Sequence, residues 1–276
     1  MTIQQLFALE SHGPDTFVGA GRQYPWGGLY GGHIVAQALW AAAETVDPLM
    51  EPHSLRAYFI RRGDTSEPVR YEVDRIRNGK SFCTRRVVAR QTVGAILNLE
   101  ASFQIHEDAA DMQPIPFPVG VPDPESMENS AWSEVFDRRW IANEDMPGGV
   151  REGSGRSMSW FRITEELGSS DDVRSRLLHR CAFTYLSDDL PTDAVVRSHP
   201  TISQRPEGEL NFQGASLDHT IWFHRPIRAD HWHLQDFTCH SVGNSRGLSI
   251  GHVFSQDGIL VATVAQEVLI RDRQTP

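Results

Sequence analysis

Apolar positions along the chain fall into one arrangement that occurs twice. From His33 to Val46 the residues Ile34, Val35, Ala38, Leu39, Trp40 and Ala42 cover most of a helical circumference. A helix that is apolar nearly all round is buried on most sides. A second helix is predicted from about Val173 to Ser187, where Val173, Leu177, Leu178, Cys181, Ala182, Tyr185 and Leu186 recur at three- and four-residue spacing. A short strand candidate precedes each helix, Thr16–Gly19 in the first half and Ser157–Ile163 in the second. Four strand-like runs follow the first helix: His53–Arg61, Val69–Asn78, Phe82–Gln91 and Ala95–Ile105. Four more follow the second: Ser216–His224, His231–Val242, Gly247–Gln256 and Ile259–Arg271. Turn residues separate the runs, Asp257-Gly258 among them, as antiparallel hairpins require.

The two halves also match residue by residue. Ser54-Leu55, Phe59 and Arg61 stand against Ser216-Leu217, Phe223 and Arg225, and the turn Val93-Gly94 stands against Asp257-Gly258, with offsets near 164. A period this long means a duplicated domain, because solenoid repeats run to only about 20–50 residues. The expected architecture is α+β, with two antiparallel sheets each wrapped round one buried helix.

Composition and charge refine this picture. The chain has 276 residues, 39% of them hydrophobic and 22% charged, which is ordinary globular usage. The net charge of −10 is the wrong sign for a protein that wraps nucleic acid or an anionic membrane. Most of the excess lies between Glu107 and Met146, where ten carboxylates meet two arginines, Arg138 and Arg139. Pro114, Pro116, Pro118, Pro122 and Pro124 fall in the same stretch, and prolines at that density break helix and sheet alike. The expected division is therefore a domain at 1–106, an acidic Pro-rich connector at 107–150 and a second domain at 151–276. Cys83, Cys181 and Cys239 show no metal-ligand spacing and read as small hydrophobes of a reducing compartment. With no basic, apolar leader at the start and no apolar run of about 18 residues, a cytoplasmic protein is expected.

The segments YGGHIVAQALWAAAETV, HSLRAYFIRRGD, VRYEVDRIRNGKSFCTRRVVARQ and ASFQ resemble the first domain of the type II acyl-CoA thioesterases. LLHRCAFTYLSD, SLDHTIWFHRP and SRGLSIGHVFSQDGILVATVAQEVLIR resemble the second. The resemblance covers nearly the whole chain apart from the connector and the loop from Asp189 to Gly214. It implies a double hotdog fold, hydrolysis of acyl-CoA to a fatty acid and CoA, no cofactor, and a dimer or tetramer. It also implies a catalytic Asp, a Ser or Thr, and a Gln, which fall on Asp188, Ser216 and Gln266. At the start of the first helix, Gly31-Gly32-His33 stands where many members have Gly-Gly-Gln.

These residue types suit thioester hydrolysis. A partly buried carboxylate is a competent base at neutral pH. Gln266 and Ser216 each offer a donor and an acceptor, so together they orient one water. The start of a buried helix has unpaired backbone N–H groups for an oxyanion, and Gly31 and Gly32 permit close approach there, with His33 beside them. From the residues alone, Asp188 is most simply a helix-end residue, and Asp189 or Asp193 serve as well. Ser216 alone is a sheet hydroxyl. Gln266 stands out more, as an amide interrupting an apolar strand. A non-catalytic acyl-CoA-binding or regulatory protein is the alternative from another class.

Other signals are weaker. Gly243-Asn244-Ser245-Arg246-Gly247 fits the serine-hydrolase elbow, but a strand pattern follows where that motif needs a helix, so a hairpin turn is expected. His231-Trp232-His233 puts two imidazoles on one strand face without a third ligand, so no metal is expected. Resemblance to the hydratases of this fold would imply a His about five residues after the Asp, and the five residues after Asp188 hold none, which tells against hydration. His219 reads as a structural histidine and as the understudy to Asp188.

Overall fold

A computed structural model describes residues 2–150, 155–205 and 211–273. The first half holds α1 (Ile3–Leu6), β1 (Glu10–Ser11), β2 (Thr16–Gly19), α2 (Gly31–Ala43), β3 (Met50–Phe59), β4 (Val69–Asn78), β5 (Phe82–Gln91) and β6 (Gly94–Ile105). After the connector come β7 (Phe136–Trp140), β8 (Arg156–Ile163), α3 (Val173–Leu186), α4 (Pro191–Ser198), β9 (Phe212–Ser216), β10 (Asp218–Phe223), β11 (His233–Gly243), β12 (Arg246–Ser255) and β13 (Leu260–Asp272).

Both helices lie where the apolar periodicity puts them, and eleven of the thirteen residues of α2 are buried. Every strand pair is antiparallel, in the order β1-β2-β4-β5-β6-β3-β10-β13-β12-β11-β8-β7. The two expected sheets are joined edge to edge through β3 and β10 into one continuous surface that curls round α2 and α3. At that junction Arg56 faces Thr220, its own counterpart at the offset of 164 read from the sequence. The pseudo-twofold axis of the duplication therefore passes between β3 and β10.

Four local readings differ from the sequence expectation. The connector contains strand β7, which pairs with β8 from Phe136↔Ile163 to Trp140↔Ser159. Between Pro124 and Pro147 it holds no proline, so the stretch from Glu125 to Met146 is free to extend. The expected loop after Asp189 contains α4, whose Pro191 sits at a first-turn position where no N–H is needed. The run Ser216–His224 is broken at Leu217 into β9 and β10, both paired with β13. Finally, β11 starts at His233, so His231 is exposed while the His233 ring is buried, and the two imidazoles do not share a strand face. Asn244 and Ser245 both have positive φ (52° and 58°), the turn that joins β11 and β12 as a tight hairpin.

The helices run antiparallel: Gly32 at the start of α2 lies against Tyr185 near the end of α3, while Glu44 after α2 pairs with Arg174 at the start of α3. At that second end, Glu51 of β3 accepts from Arg176 at 2.5 Å and from the buried Arg180, whose other arm donates to Pro52 O. This ion cluster ties α3 to the first half. Replacing Glu51 by Ala leaves Arg180 buried beside no counter-charge. The expected loss is about 2–3 kcal/mol, below the range for a fully buried pair because Glu51 keeps some contact with water. Urea denaturation measures it, and an unchanged midpoint would contradict the role given to Glu51.

Candidate active site

Asp188 follows Ser187, the C-cap of α3, and is only 7% exposed. Its carboxylate is held on both oxygens. Oδ2 accepts the Gly32 backbone N–H at 2.8 Å, and Oδ1 accepts the Ser216 hydroxyl at 3.0 Å. Gln266, fully buried in β13, donates from Nε2 to Ser216 Oγ at 2.8 Å. Sheet register explains why these residues meet. Ser216 ends β9 opposite Val268, so Gln266 lies two residues along the same strand and on the same face. Three residues far apart in sequence thus form one chain, Gln266 to Ser216 to Asp188.

The glycines at the start of α2 are a steric necessity here. A Cβ on Gly31 would lie 2.5 Å from Asp188 Oδ2, and one on Gly32 would lie 2.3 Å from the Tyr185 carbonyl oxygen. Only bare backbone lets the positive end of the helix reach the carboxylate. The Gly32 amide is thereby engaged with Asp188, and the His33 amide donates to Tyr30 O at 3.1 Å. Gly31, half-buried, is the one of the three whose N–H donates to no acceptor among the described residues. The His33 ring turns into the first half, where Tyr24 Oη lies 2.8 Å from Nδ1. Burial lowers its pKa to about 4, so the ring is neutral.

Burial pushes the Asp188 carboxyl above the ordinary aspartate range, opposed by His219 and by the hydrogen bonds from Ser216, Gln266 and Gly32. His219, fully buried, has Nδ1 against Gln266 Oε1 and Nε2 2.9 Å from Ser187 Oγ, so both ring nitrogens are occupied. Asp189 faces away from the trio, paired with Arg138 at 2.7 Å and accepting from Trp132 Nε1 at 2.5 Å.

Those contacts expose what the sequence reading missed. Trp132, from the acidic connector, packs edge-on against Tyr30, Trp26 and Tyr24, and Tyr30 packs against Tyr185. An aromatic wall therefore stands beside Asp188, built from the loop before α2, the connector and α3. Only the aromatic density of QYPWGGLY hinted at it.

The second end of the helix pair lacks this chemistry. The register at the junction fixes the offset at 164, which sets Ser54 against Asp218 rather than Ser216. The counterparts of Ser216 and Gln266 are then Pro52 and Ser102, and the residue after the α2 C-cap is Thr45 where α3 has Asp188. One of the two pseudo-equivalent ends is equipped.

Comparison with known proteins identifies the family and the fold. A model of the acyl-CoA thioesterase N-terminal domain matches residues 21–104, and one of the C-terminal domain matches residues 106–270, connector included. Acyl-coenzyme A thioesterase 8 of Mus musculus is 35% identical over 272 residues, covering 88% of this chain and 80% of the relative. The crystal structure of an acyl-CoA thioesterase II from Mycobacterium marinum superposes with a TM-score of 0.83 at 34% identity, covering 99% of this chain and 98% of that one. A hot dog fold protein of unknown function from Alicyclobacillus acidocaldarius shares the fold at 19% identity with a TM-score of 0.75, over 98% of this chain and 97% of that one. The fold is a double hotdog, and the chain belongs to the acyl-CoA thioesterase family of thioester hydrolases.

Proposed function

We propose that this enzyme hydrolyses acyl-CoA with a water held by Asp188, Ser216 and Gln266. The observation that carries the reading is the buried carboxylate of Asp188, gripped by a helix N-terminus and linked through Ser216 to Gln266. Ser216 is half-buried and gives the trio its opening to a ligand. The water oxygen attacks the thioester carbonyl while Asp188 takes its proton. Negative charge then develops on the carbonyl oxygen, which the Gly31 N–H and the positive end of α2 stabilise. Collapse of the tetrahedral adduct breaks the C–S bond, and the proton on Asp188 passes to the departing CoA sulfur. The products are the carboxylic acid and free CoA.

The test is thiol release from a panel running from acetyl-CoA to long-chain and branched acyl-CoAs. Turnover of any member supports hydrolysis, and tight binding without thiol release would leave only a binding protein. A pH profile adds a second check. Because burial raises the Asp188 pKa, kcat/KM should rise with pH through one ionisation above the 3.8 of an ordinary aspartate. An acid limb at or below that value would contradict the assignment of the base.

The same reading takes the chain as a domain at 1–106, a connector at 107–150 and a domain at 151–276, working in the cytoplasm as a dimer or tetramer on a small-molecule substrate. No described helix is long and apolar enough to cross a membrane. Sedimentation velocity on the purified protein measures the assembly, and a monomer would correct that part.

A further inference from the structure

The chain of hydrogen bonds does not stop at Gln266. It continues to His219 and from there to Ser187, which adjoins Asp188 in sequence, so the path returns to its own starting point. His219 and Gln266 are both fully buried, and the Ser187 side chain is buried with them. No water is needed to connect any neighbouring pair.

Proton counting fixes the direction of this chain. An ionised carboxylate only accepts, so the single hydroxyl proton of Ser216 points to Asp188 Oδ1. Ser216 Oγ then has only lone pairs for Gln266, which therefore presents its NH₂ group to the serine. That leaves Gln266 Oε1, an acceptor, facing His219, so Nδ1 carries the ring proton. Nε2 of the neutral ring is then an acceptor. It draws the hydroxyl proton of Ser187, which is also within reach of Thr184 O at 3.0 Å. All four donors point toward the carboxylate. With the ring proton on Nε2 instead, Gln266 must turn its amide over. Ser216 then gives its proton to Gln266, and ionised Asp188 loses its hydroxyl donor.

We infer that His219 is a positioning residue: by donating from Nδ1 to Gln266 Oε1 it locks the Gln266 amide and thereby aims the Ser216 hydroxyl at Asp188. This rests on the reading of Asp188 as the base, since an ionised Asp188 sets the direction. His219 itself takes no proton from the water, because both of its nitrogens are already engaged. Its sequence setting, in SLDHTIWFH, makes the placement a consequence of strand pairing. His219 lies one residue before Thr220, which faces Ala265 of β13, and so stands beside Gln266 across the sheet.

Two variants separate positioning from bulk. The amide nitrogen of Asn occupies the place of Nδ1, so His219→Asn keeps a donor for Gln266. The longer Gln reaches the place of Nε2, so His219→Gln leaves Gln266 Oε1 without its donor. The expected result is kcat within about tenfold of wild type for His219→Asn. For His219→Gln, kcat falls about 100-fold with KM little changed, the scale of a misplaced catalytic group. Kinetics with a mid-chain acyl-CoA and a thermal melt on each variant provide these readouts. Equal losses in both variants that follow their melting temperatures would overturn the inference, as would a fully active His219→Gln. A second measurement is independent of variant folding: long-range ¹H–¹⁵N correlation spectra of wild-type protein with labelled histidine, which report the ring tautomer. The neutral Nδ1–H form supports the inference and the Nε2–H form contradicts it. Asp188→Asn, run alongside, keeps the two readings apart. Turnover surviving in that variant would sink the base, whatever the histidine variants do.

Discussion

Asp188→Asn is expected to lower kcat by 100-fold or more, about 2.7 kcal/mol of barrier, with little change in KM. The amide fills the same space and still accepts from Ser216, but it cannot take a proton from water. Stability gives the control. The folded pKa of Asp188 lies above its unfolded value because of burial. The folded state therefore holds the extra proton, and its advantage is complete at pH below the unfolded pKa. That advantage is lost as pH rises through the folded pKa. At neutral pH the ionised carboxylate thus weakens the fold, and a neutral isostere relieves that strain while losing the match to the Gly32 N–H. The variant should melt near wild type while being nearly inactive. A variant that keeps its turnover would remove Asp188 from the mechanism.

Gly32→Ala is expected to damage both fold and catalysis. In an ordinary helix the change gains up to about 1 kcal/mol from propensity. Here the new Cβ would lie 2.3 Å from the Tyr185 carbonyl oxygen and 2.6 Å from the Tyr30 ring. Neither neighbour yields easily, since one is backbone and the other is packed against Trp132 and Tyr185. Forcing α2 and α3 apart should cost about 3 kcal/mol net, at the upper end for overpacking. For a chain of this size that lowers the melting temperature by roughly 6–12 °C. The Gly32 N–H would move off Asp188 Oδ2 at the same time, so kcat falls with stability. Differential scanning calorimetry and thiol release decide the point, and an unchanged melting temperature would mean that the helices tolerate separation.

Much of this was legible in the sequence because it is local. The buried helices α2 and α3 show as apolar residues all round or at helical spacing, the hairpins as turn residues between alternating runs, and the duplication as a constant offset. The offset even gives the pairing of Arg56 with Thr220 at the junction. Asp188, Ser216 and Gln266 stood out through motif resemblance, and chemistry supplied only their fitness for the role.

What stayed hidden depends on contacts between distant segments. The eight residues of α4 are too few for periodicity to separate a helix from a polar loop. Strand β7 exists through its pairing with β8, in a stretch whose charge and nearby prolines read as a connector. Trp132 reaches the site only because that connector folds back to set its indole N–H on Asp189. In the sequence Ser187 is only the last residue of the predicted second helix, and its bond to His219 emerges only once β10 and α3 are brought together.

In the proposed mechanism water attacks the thioester directly, with Asp188 as its base. A single turnover in ¹⁸O-labelled water, with enzyme in excess over acyl-CoA, tests it most directly. One ¹⁸O atom is expected in the carboxylic acid released by the first turnover, and none in Asp188. An unlabelled acid together with ¹⁸O in the Asp188 carboxylate would mean that Asp188 attacks the thioester itself and forms an anhydride, and it would contradict direct attack by water.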